Sequence, residues 1–487
     1  MKARLCVALA WAVCSVTAAE WQAGDGFRSA RLPSVPAHKP GFSKLDSKIT
    51  GIAFANHLAN ERSITNRNLL SGSGVAAGDI DGDGLCDLFF CRLDGPSVLY
   101  RNLGNWKFED VTARAGVACA GQDSTGASFA DIDGDNDLDL LVNALGNGTR
   151  VFQNDGRGHF TEVTQRAGVA SKTGSTSMAL ADIEGDGDLD LYVANFRPTT
   201  VMDRPGTKFT VNVVGGKTVV TAVNGVPTSS PEFAGQFTVN EAGIVLESGE
   251  VDAFYLNNGH GVFTSVSFTN GAFLDESGQV LRDPPRDWGL AVQFHDFTGD
   301  GAPDIYVCND LFTPDRAWVN DGRGKFRALP TLALRNVSTF SMGVDFGDLN
   351  RDGHADFFVV DMLSPDHRKR QVQTGQSSPM FWPVGVFETR PQLGRNTLQV
   401  NRGDGTFAEI AHYAGVEASD WSWGPILLDV DLDGYEDILV SNGQLRDFQN
   451  TDWAERIARA QAGKRVSMKD IFDLTKNIPS LRTPNIT

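Results

Sequence analysis

Cysteine and histidine are scarce in this chain: six cysteines and eight histidines in 487 residues. No His-rich cluster, activated serine or nucleophilic cysteine motif stands out, so the sequence offers catalysis no constellation to work with. Long apolar runs are missing too. After residue 16 no segment reaches the ~20 apolar residues of a membrane-spanning helix. Positive charge is in deficit, with 43 Lys and Arg against 61 Asp and Glu and a formal charge of -18. That balance leaves nucleic acid without an electrostatic footing.

The one apolar run lies at the N-terminus. Lys2 and Arg4 precede Leu5 to Val16, and Thr17-Ala18-Ala19 follows. This is the layout of a secretory signal over residues 1–19, cleaved after Ala19. Cys14 follows Val13, where a lipoprotein signal wants a small residue, so no lipid anchor is expected. A secreted, periplasmic or cell-surface location is implied. The remaining cysteines are Cys86, Cys91, Cys119 and Cys308. Export permits disulfides, and spacing does not choose among the three full pairings. Cys86 and Cys91 lie five apart on one strand and point to opposite faces, so they are not expected to pair with each other.

What is abundant is a nine-residue acidic loop, written six times: DIDGDGLCD, DIDGDNDLD, DIEGDGDLD, DFTGDGAPD, DLNRDGHAD and DVDLDGYED, starting at Asp79, Asp131, Asp182, Asp296, Asp348 and Asp429. Oxygens recur at positions 1, 3, 5 and 9, and Gly or Asn holds position 6, where a tight turn needs positive φ. A hard dication with six to eight oxygen ligands in flexible geometry suits this layout, which points to Ca2+. Position 7 adds its backbone carbonyl. The candidate ligands are therefore Asp79, Asp81, Asp83, Leu85 and Asp87, then Asp131, Asp133, Asp135, Asp137 and Asp139. Loop three supplies Asp182, Glu184, Asp186, Asp188 and Asp190, and loop four Asp296, Thr298, Asp300, Ala302 and Asp304. Loop five supplies Asp348, Asn350, Asp352, His354 and Asp356, and loop six Asp429, Asp431, Asp433, Tyr435 and Asp437. Loops four and five carry three carboxylates at these positions instead of four and should bind more weakly. His295 beside Asp296 flanks a ligand. Without a cation, so many carboxylates in one loop repel one another.

An EF-hand is excluded, because its bidentate Glu belongs at position 12, and here that position is Phe90, Val142, Val193, Val307, Val359 and Val440. Position 10 is apolar as well, so each loop feeds a short buried strand and forms the tip of a hairpin. The loops hold 22 of the 61 acids at ligand positions, and the other 39 face 43 bases. Filling all six with Ca2+ would move the formal charge from -18 to -6.

A second motif runs in step: Asn-x-Gly with Phe four residues on, at Asn102, Asn154, Asn257, Asn320 and Asn401. Asn and Gly supply a turn between two further strands. Three times an Ala-Gly-Val follows, at Gly116, Gly168 and Gly415. Loop to turn measures 23, 23, 75, 24 and 53 residues, so the unit is two hairpins in about 52 residues, with insertions near 197–250 and 363–395. Four short strands repeated head to tail make the blade of an all-β propeller. A β-sandwich array explains the strands but not the unbroken period.

DIDGDGLCDLFF with YRNLGNWKFEDVTARAGV resembles the FG-GAP, or VCBS-type, repeats of integrin-α-like propellers. The nearest likeness is to the cartilage-acidic-protein-like group, whose longer members continue into an ASPIC/UnbV-type domain. The resemblance spans roughly residues 42–442 and implies a seven-bladed calcium-binding propeller, exported and used in adhesion or recognition. This chain departs in having Glu184, Thr298 and Asn350 at position 3 and only six loops. Residues 20–41 read as a linker. Phe42 to Ile52 resembles the outer-strand stretch Phe108 to Val117, a half repeat that would close a ring. Residues 443–487 read as helical, with helices near Asn450–Lys464 and from Ser467-Met-Lys-Asp470, whose pattern is a capping box. The expectation is that the chain stops inside an insertion of blade six; a native six-bladed ring is the alternative.

Recognition of an extracellular protein or glycan is the first functional reading, carried by the insertions, since loops on a rigid scaffold carry specificity. The first insertion reads as an appended hairpin, Lys208–Val214 with Thr218–Val223 about Gly215-Gly216. The second holds His367-Arg368-Lys369-Arg370 and Phe381-Trp382-Pro383, a candidate anionic or glycan site set against a plain solvated charge run. A polysaccharide lyase or hydrolase on the same scaffold, and a platform for a further C-terminal domain, are the alternatives.

Overall fold

Every acidic loop closes an antiparallel hairpin in one register. The residue before position 1 pairs with the Asp at position 9: Gly78↔Asp87, Ala130↔Asp139, Ala181↔Asp190, His295↔Asp304, Gly347↔Asp356 and Leu428↔Asp437. The computed structural model describes residues 22–23, 28–29, 42–204, 206–240, 243–311, 313–373, 390–461 and 468–486. The signal, most of the linker, Phe381-Trp382-Pro383 and Ser467 lie outside them. Two units separate at Lys44 and Leu45; in the first, Gln22–Ala23 pairs with Arg28–Ser29.

Among the described residues the second unit holds six blade sheets in succession and three smaller sheets. Blade 1 is Val75–Gly78, Asp87–Phe90, Val98–Asn102 and Phe108–Asp110, hydrogen-bonded in chain order. Blade 2 (Ser124–Ala130 to Thr161–Glu162), blade 3 (Ser175–Ala181 to Thr264–Val266), blade 4 (Gly289–His295 to Phe326–Ala328) and blade 5 (Gly343–Gly347 to Phe407–Glu409) repeat that order. The acidic loop joins the first two strands and the Asn-x-Gly turn the last two, as the motifs require. Blade 4 gains a fifth strand, Phe273–Leu274, parallel to its outer strand. Blade 6, which has no Asn-x-Gly turn, has Ser422–Leu428 and Asp437–Asn442 among the described residues, joined by a single bridge from Val440 to Ile486.

First strands of consecutive blades lie side by side about a common axis. The approach is close enough to demand small residues: a Cβ on Gly126 would stand 3.0 Å from the Thr176 carbonyl oxygen, and one on Gly343 would stand 2.8 Å from that of Trp423. Both faces of the second strands of blades 2 to 5 are covered, which is why these strands read as continuous apolar runs. Leu140 and Val142 face blade 1, while Leu141 faces blade 3. The core is thus five layers, each between two neighbouring blades.

The Ala-Gly-Val stretches end one-turn helices, Thr112–Ala115, Thr164–Ala167 and Ala411–Ala414, with the Gly as left-handed cap at φ 81, 79 and 74. Ser47–Thr50 and Gly51 (φ 78) repeat this ahead of blade 1, but residues 42–46 form no strand where the template has Phe108–Asp110. The insertions all leave between second and third strands. In the first, Phe209–Val214 pairs with Lys217–Val223 about Gly215-Gly216. The third runs from Gly443 through helices Thr451–Gln461 and Met468–Thr475. Beyond them Ile486 bridges back to Val440 of the blade. Asn442 Nδ2 donates to the Pro484 carbonyl and its N–H to Asn485 Oδ1, at 2.8 and 2.9 Å. Asn309 treats Pro314 and Asp315 in the same way, both at 2.8 Å. Four described cysteines, Cys86, Cys91, Cys119 and Cys308, are free thiols.

Candidate metal centre

Position 1 is held by the loop's own backbone. Asp79 accepts the N–H groups of Gly82, Asp83 and Gly84 at 2.9, 3.2 and 2.8 Å, and Asp182 and Asp296 repeat the pattern. Position 5 accepts from position 7, as in Asp83 from Leu85 and Asp300 from Ala302, both 3.0 Å. Position 9 faces two ways: Asp139 takes the Ile132 N–H on one oxygen and the Asn154 N–H on the other, at 3.3 and 2.8 Å. Position 3 keeps one oxygen bare in the first three loops: Asp81 Oδ1, Asp133 Oδ1 and Glu184 Oε2 are buried with no hydrogen-bond partner, while the other oxygens of Asp81 and Asp133 are held by Arg101 and Gln153. A buried acceptor left bare costs about 1–3 kcal/mol, and a cation would remove that cost.

Carboxylate oxygens of positions 1, 3 and 9 converge within 4.8 Å in three loops: Asp79, Asp81 and Asp87; Asp131, Asp133 and Asp139; Asp429, Asp431 and Asp437. Among the described residues no such trio forms in the loops with Glu184, Thr298 and Asn350 at position 3. Asn350 is engaged instead, its amide donating to Asp352 at 2.9 Å. In loop one Arg101 pairs with Asp81 and, at 2.9 Å, with Asp83, so this loop already shares one cation. The position-9 carboxylates of the first five loops are buried, but Asp437 is exposed.

Burial, opposed by backbone donors and reinforced by neighbouring carboxylates, pushes Asp139 and Asp304 up to about 7 and Asp356 up to about 6. Asp87 and Asp190 are raised by the same cause. Bound calcium reverses this logic. A carboxyl whose folded pKa is raised binds more protons in the native state than in the unfolded one, so stability falls as pH rises through that window. In EGTA the melting temperature should therefore fall between about pH 4 and pH 7, the span from 3.8 to the raised values. Saturating calcium should flatten the slope. Asp252 and Asp315, raised to about 7 inside the core, titrate in both conditions and drop out of the difference curve. An identical pH profile with and without calcium would contradict ligation by these groups.

The turn Asn has a second function that its local motif does not announce. Besides closing its own turn, it reaches into the preceding blade. Asn154, Asn257, Asn320 and Asn401 donate Nδ2 to the position-2 carbonyls of Ile80, Ile132, Ile183 and Phe297, at 2.8, 2.8, 2.9 and 3.0 Å. The same amides bond position 8 of their own loops. The acidic loops of blades 1 to 4 are therefore each tied to the next blade's turn. The only sequence signal was the common period of the two motifs.

The basic cluster of the second insertion is partly spent on packing. Lys369 pairs with Asp420 at 3.5 Å and Arg370 with Glu417 at 3.0 Å, both on the approach to blade 6.

FG-GAP-like repeats match residues 79–142, 142–193, 296–359 and 386–440. Cartilage acidic protein 1 of Mus musculus is 26% identical over 400 residues, 76% of this chain and 57% of the relative. The Homo sapiens protein of that name is 23% identical over 431 residues, 80% of this chain and 60% of the relative. The chain thus spans under two thirds of their length. Among solved structures, an Agrocybe aegerita lectin that recognises non-reducing terminal N-acetylglucosamine aligns at 17% identity with a TM-score of 0.30, over 68% of this chain and 77% of that one; a likeness that low carries no argument. No helix among the described residues is long and apolar enough to cross a membrane.

Proposed function

We propose that this chain, an FG-GAP-repeat protein of the cartilage-acidic-protein-like group, is an exported, calcium-stabilised propeller that recognises an extracellular protein or glycan. The observation that carries the calcium reading is the set of unpartnered position-3 oxygens beside tied carboxylates at positions 1 and 9. Flexible loops rich in oxygen suit Ca2+ better than Mg2+, which demands near-ideal octahedral geometry. Up to six ions are assigned, strongest where positions 1, 3, 5 and 9 are all carboxylates. Their role is structural: each pins a hairpin and, through the position-2 carbonyl, the turn of the next blade. Residues 42–442 form the propeller, and residues 1–19 direct export.

Recognition rests on the insertions, which leave equivalent points of blades 3, 5 and 6 and so gather at the end of the blades away from the metal loops. The test is retention of calcium-loaded protein on arrays of glycans and of extracellular-matrix proteins. Retention that EGTA abolishes, without turnover, supports the reading. New reducing or unsaturated ends released from a polysaccharide would replace it with an enzyme.

A further inference from the structure

At the insertion end of the axis, the first strands of blades 4, 5 and 6 open into a cavity of about 560 Å³, within the range of small-ligand sites. Its floor is Leu290, Met342 and Trp423; its walls come from the helix Asn60–Thr65, the 3-10 turn Arg67–Ser71 and the third insertion. Two features set it apart from an apolar hole. Three indoles line it, Trp421, Trp423 and Trp453, each contributed by blade 6 or its insertion. Polar groups from other elements share the wall, with Asp310 from blade 4 and Asn60 and Arg67 from the segment ahead of blade 1.

Asp310 is held there at some cost. Leu311, a non-glycine residue, stands in the left-handed region at φ 62, a conformation that strains an L side chain. Its N–H donates to the Asp310 carboxylate at 2.8 Å, the only hydrogen bond to that carboxylate among the described residues. Burial, with the charge of Asp361 adding, pushes the carboxyl up to about 7. Trp421 Nε1 has no acceptor, whereas Trp423 Nε1 donates to Gly443.

We propose that this cavity is a carbohydrate site that takes the pyranose end of a glycan, stacked by its C–H face on indole and hydrogen-bonded through its hydroxyls to Asp310, Asn60 and Arg67. An aliphatic ligand would leave Asp310 buried without its donors. Arg67, Arg446 and Lys476 share the lining with Asp310 and Asp447, but Arg446 donates to the Lys476 and Ile478 carbonyls and Lys476 pairs with Asp473, so an anion would find Arg67 opposed by the two carboxylates. A neutral ring with one apolar face and a rim of hydroxyls satisfies both kinds of lining. The proposal rests on the recognition reading and specifies the site and ligand class.

The experiment uses the full chain in calcium on an array of mono- and disaccharides, followed by titration of the retained methyl glycoside against tryptophan fluorescence. Saturable quenching is expected, with Asp310→Asn and Trp453→Ala each weakening binding about tenfold or more. Their melting temperatures should stay near that of the parent, since the carboxamide oxygen of the first variant still accepts the Leu311 N–H and Trp453 lies on a surface helix. Equal sugar binding in both variants would overturn the site. So would quenching by decanoate with no response to any sugar. Retention on matrix proteins with no sugar bound would overturn the proposal and leave the recognition reading standing.

Discussion

Chelation by EGTA should lower the melting temperature of this protein by roughly 5–10 °C at neutral pH. A site at ten times its Kd contributes about 1.4 kcal/mol by linkage. The four loops with carboxylates at positions 1, 3, 5 and 9 together reach on the order of 5 kcal/mol, and the loops at Asp296 and Asp348 add less. Extracellular calcium modules bind with Kd about 10⁻⁴–10⁻³ M, so millimolar calcium is the concentration to use. The structure says where the loss appears first. Without a cation, the bare oxygens of Asp133 and Glu184 and the raised carboxyls of Asp139 and Asp190 all destabilise the same two loops. Loop one keeps Arg101 on Asp81 and Asp83 and should be the most tolerant. Hydrogen exchange in EGTA should therefore accelerate in blades 2 and 3 before blade 1. An unchanged melting temperature would remove calcium from the account altogether.

Asn320→Ala should destabilise the protein by about 2–4 kcal/mol, because it strips donors from two carbonyls in a buried setting. Those acceptors are Ile183 in blade 3 and Pro303 in its own loop, at 2.9 and 3.1 Å, and Asn320 is only 2% exposed. Asn320→Asp should be at least as harmful at neutral pH, since it sets a carboxylate against carbonyl oxygens and Asp304. Asn102→Ala provides the contrast. Its amide bonds the Cys86 carbonyl at 2.9 Å and no preceding loop among the described residues, so the loss should be about half. Equal costs at the two positions, measured by denaturant midpoint, would show that the bond between blades contributes nothing.

Much of this architecture was legible because its determinants are local. Ligand spacing, the Gly or Asn at position 6 and the Asn-x-Gly turn all act within a dozen residues, so loop, strand and hairpin follow from short stretches. The register, too, was implicit, since position 9 stands where the loop closes its hairpin. Other features depend on groups far apart in sequence. Asn320 and Ile183 are 137 residues apart, and nothing near either announces the bond. The return of Pro484-Asn485-Ile486 to blade 6 becomes readable only beside Pro314-Asp315-Arg316, whose role the fold reveals. The basic run at His367–Arg370 looked free to bind ligands until folding supplied Asp420 and Glu417.

The sequence by itself determined the repeat, the spacing of the acidic loops and the all-β class, because each depends on side-chain chemistry at fixed short spacing. Tertiary structure alone decided which oxygens stay bare, how one blade's turn grips the loop before it, and that three tryptophans and Asp310 meet at the end of the axis. Those depend on the distance between blades, which no local pattern encodes.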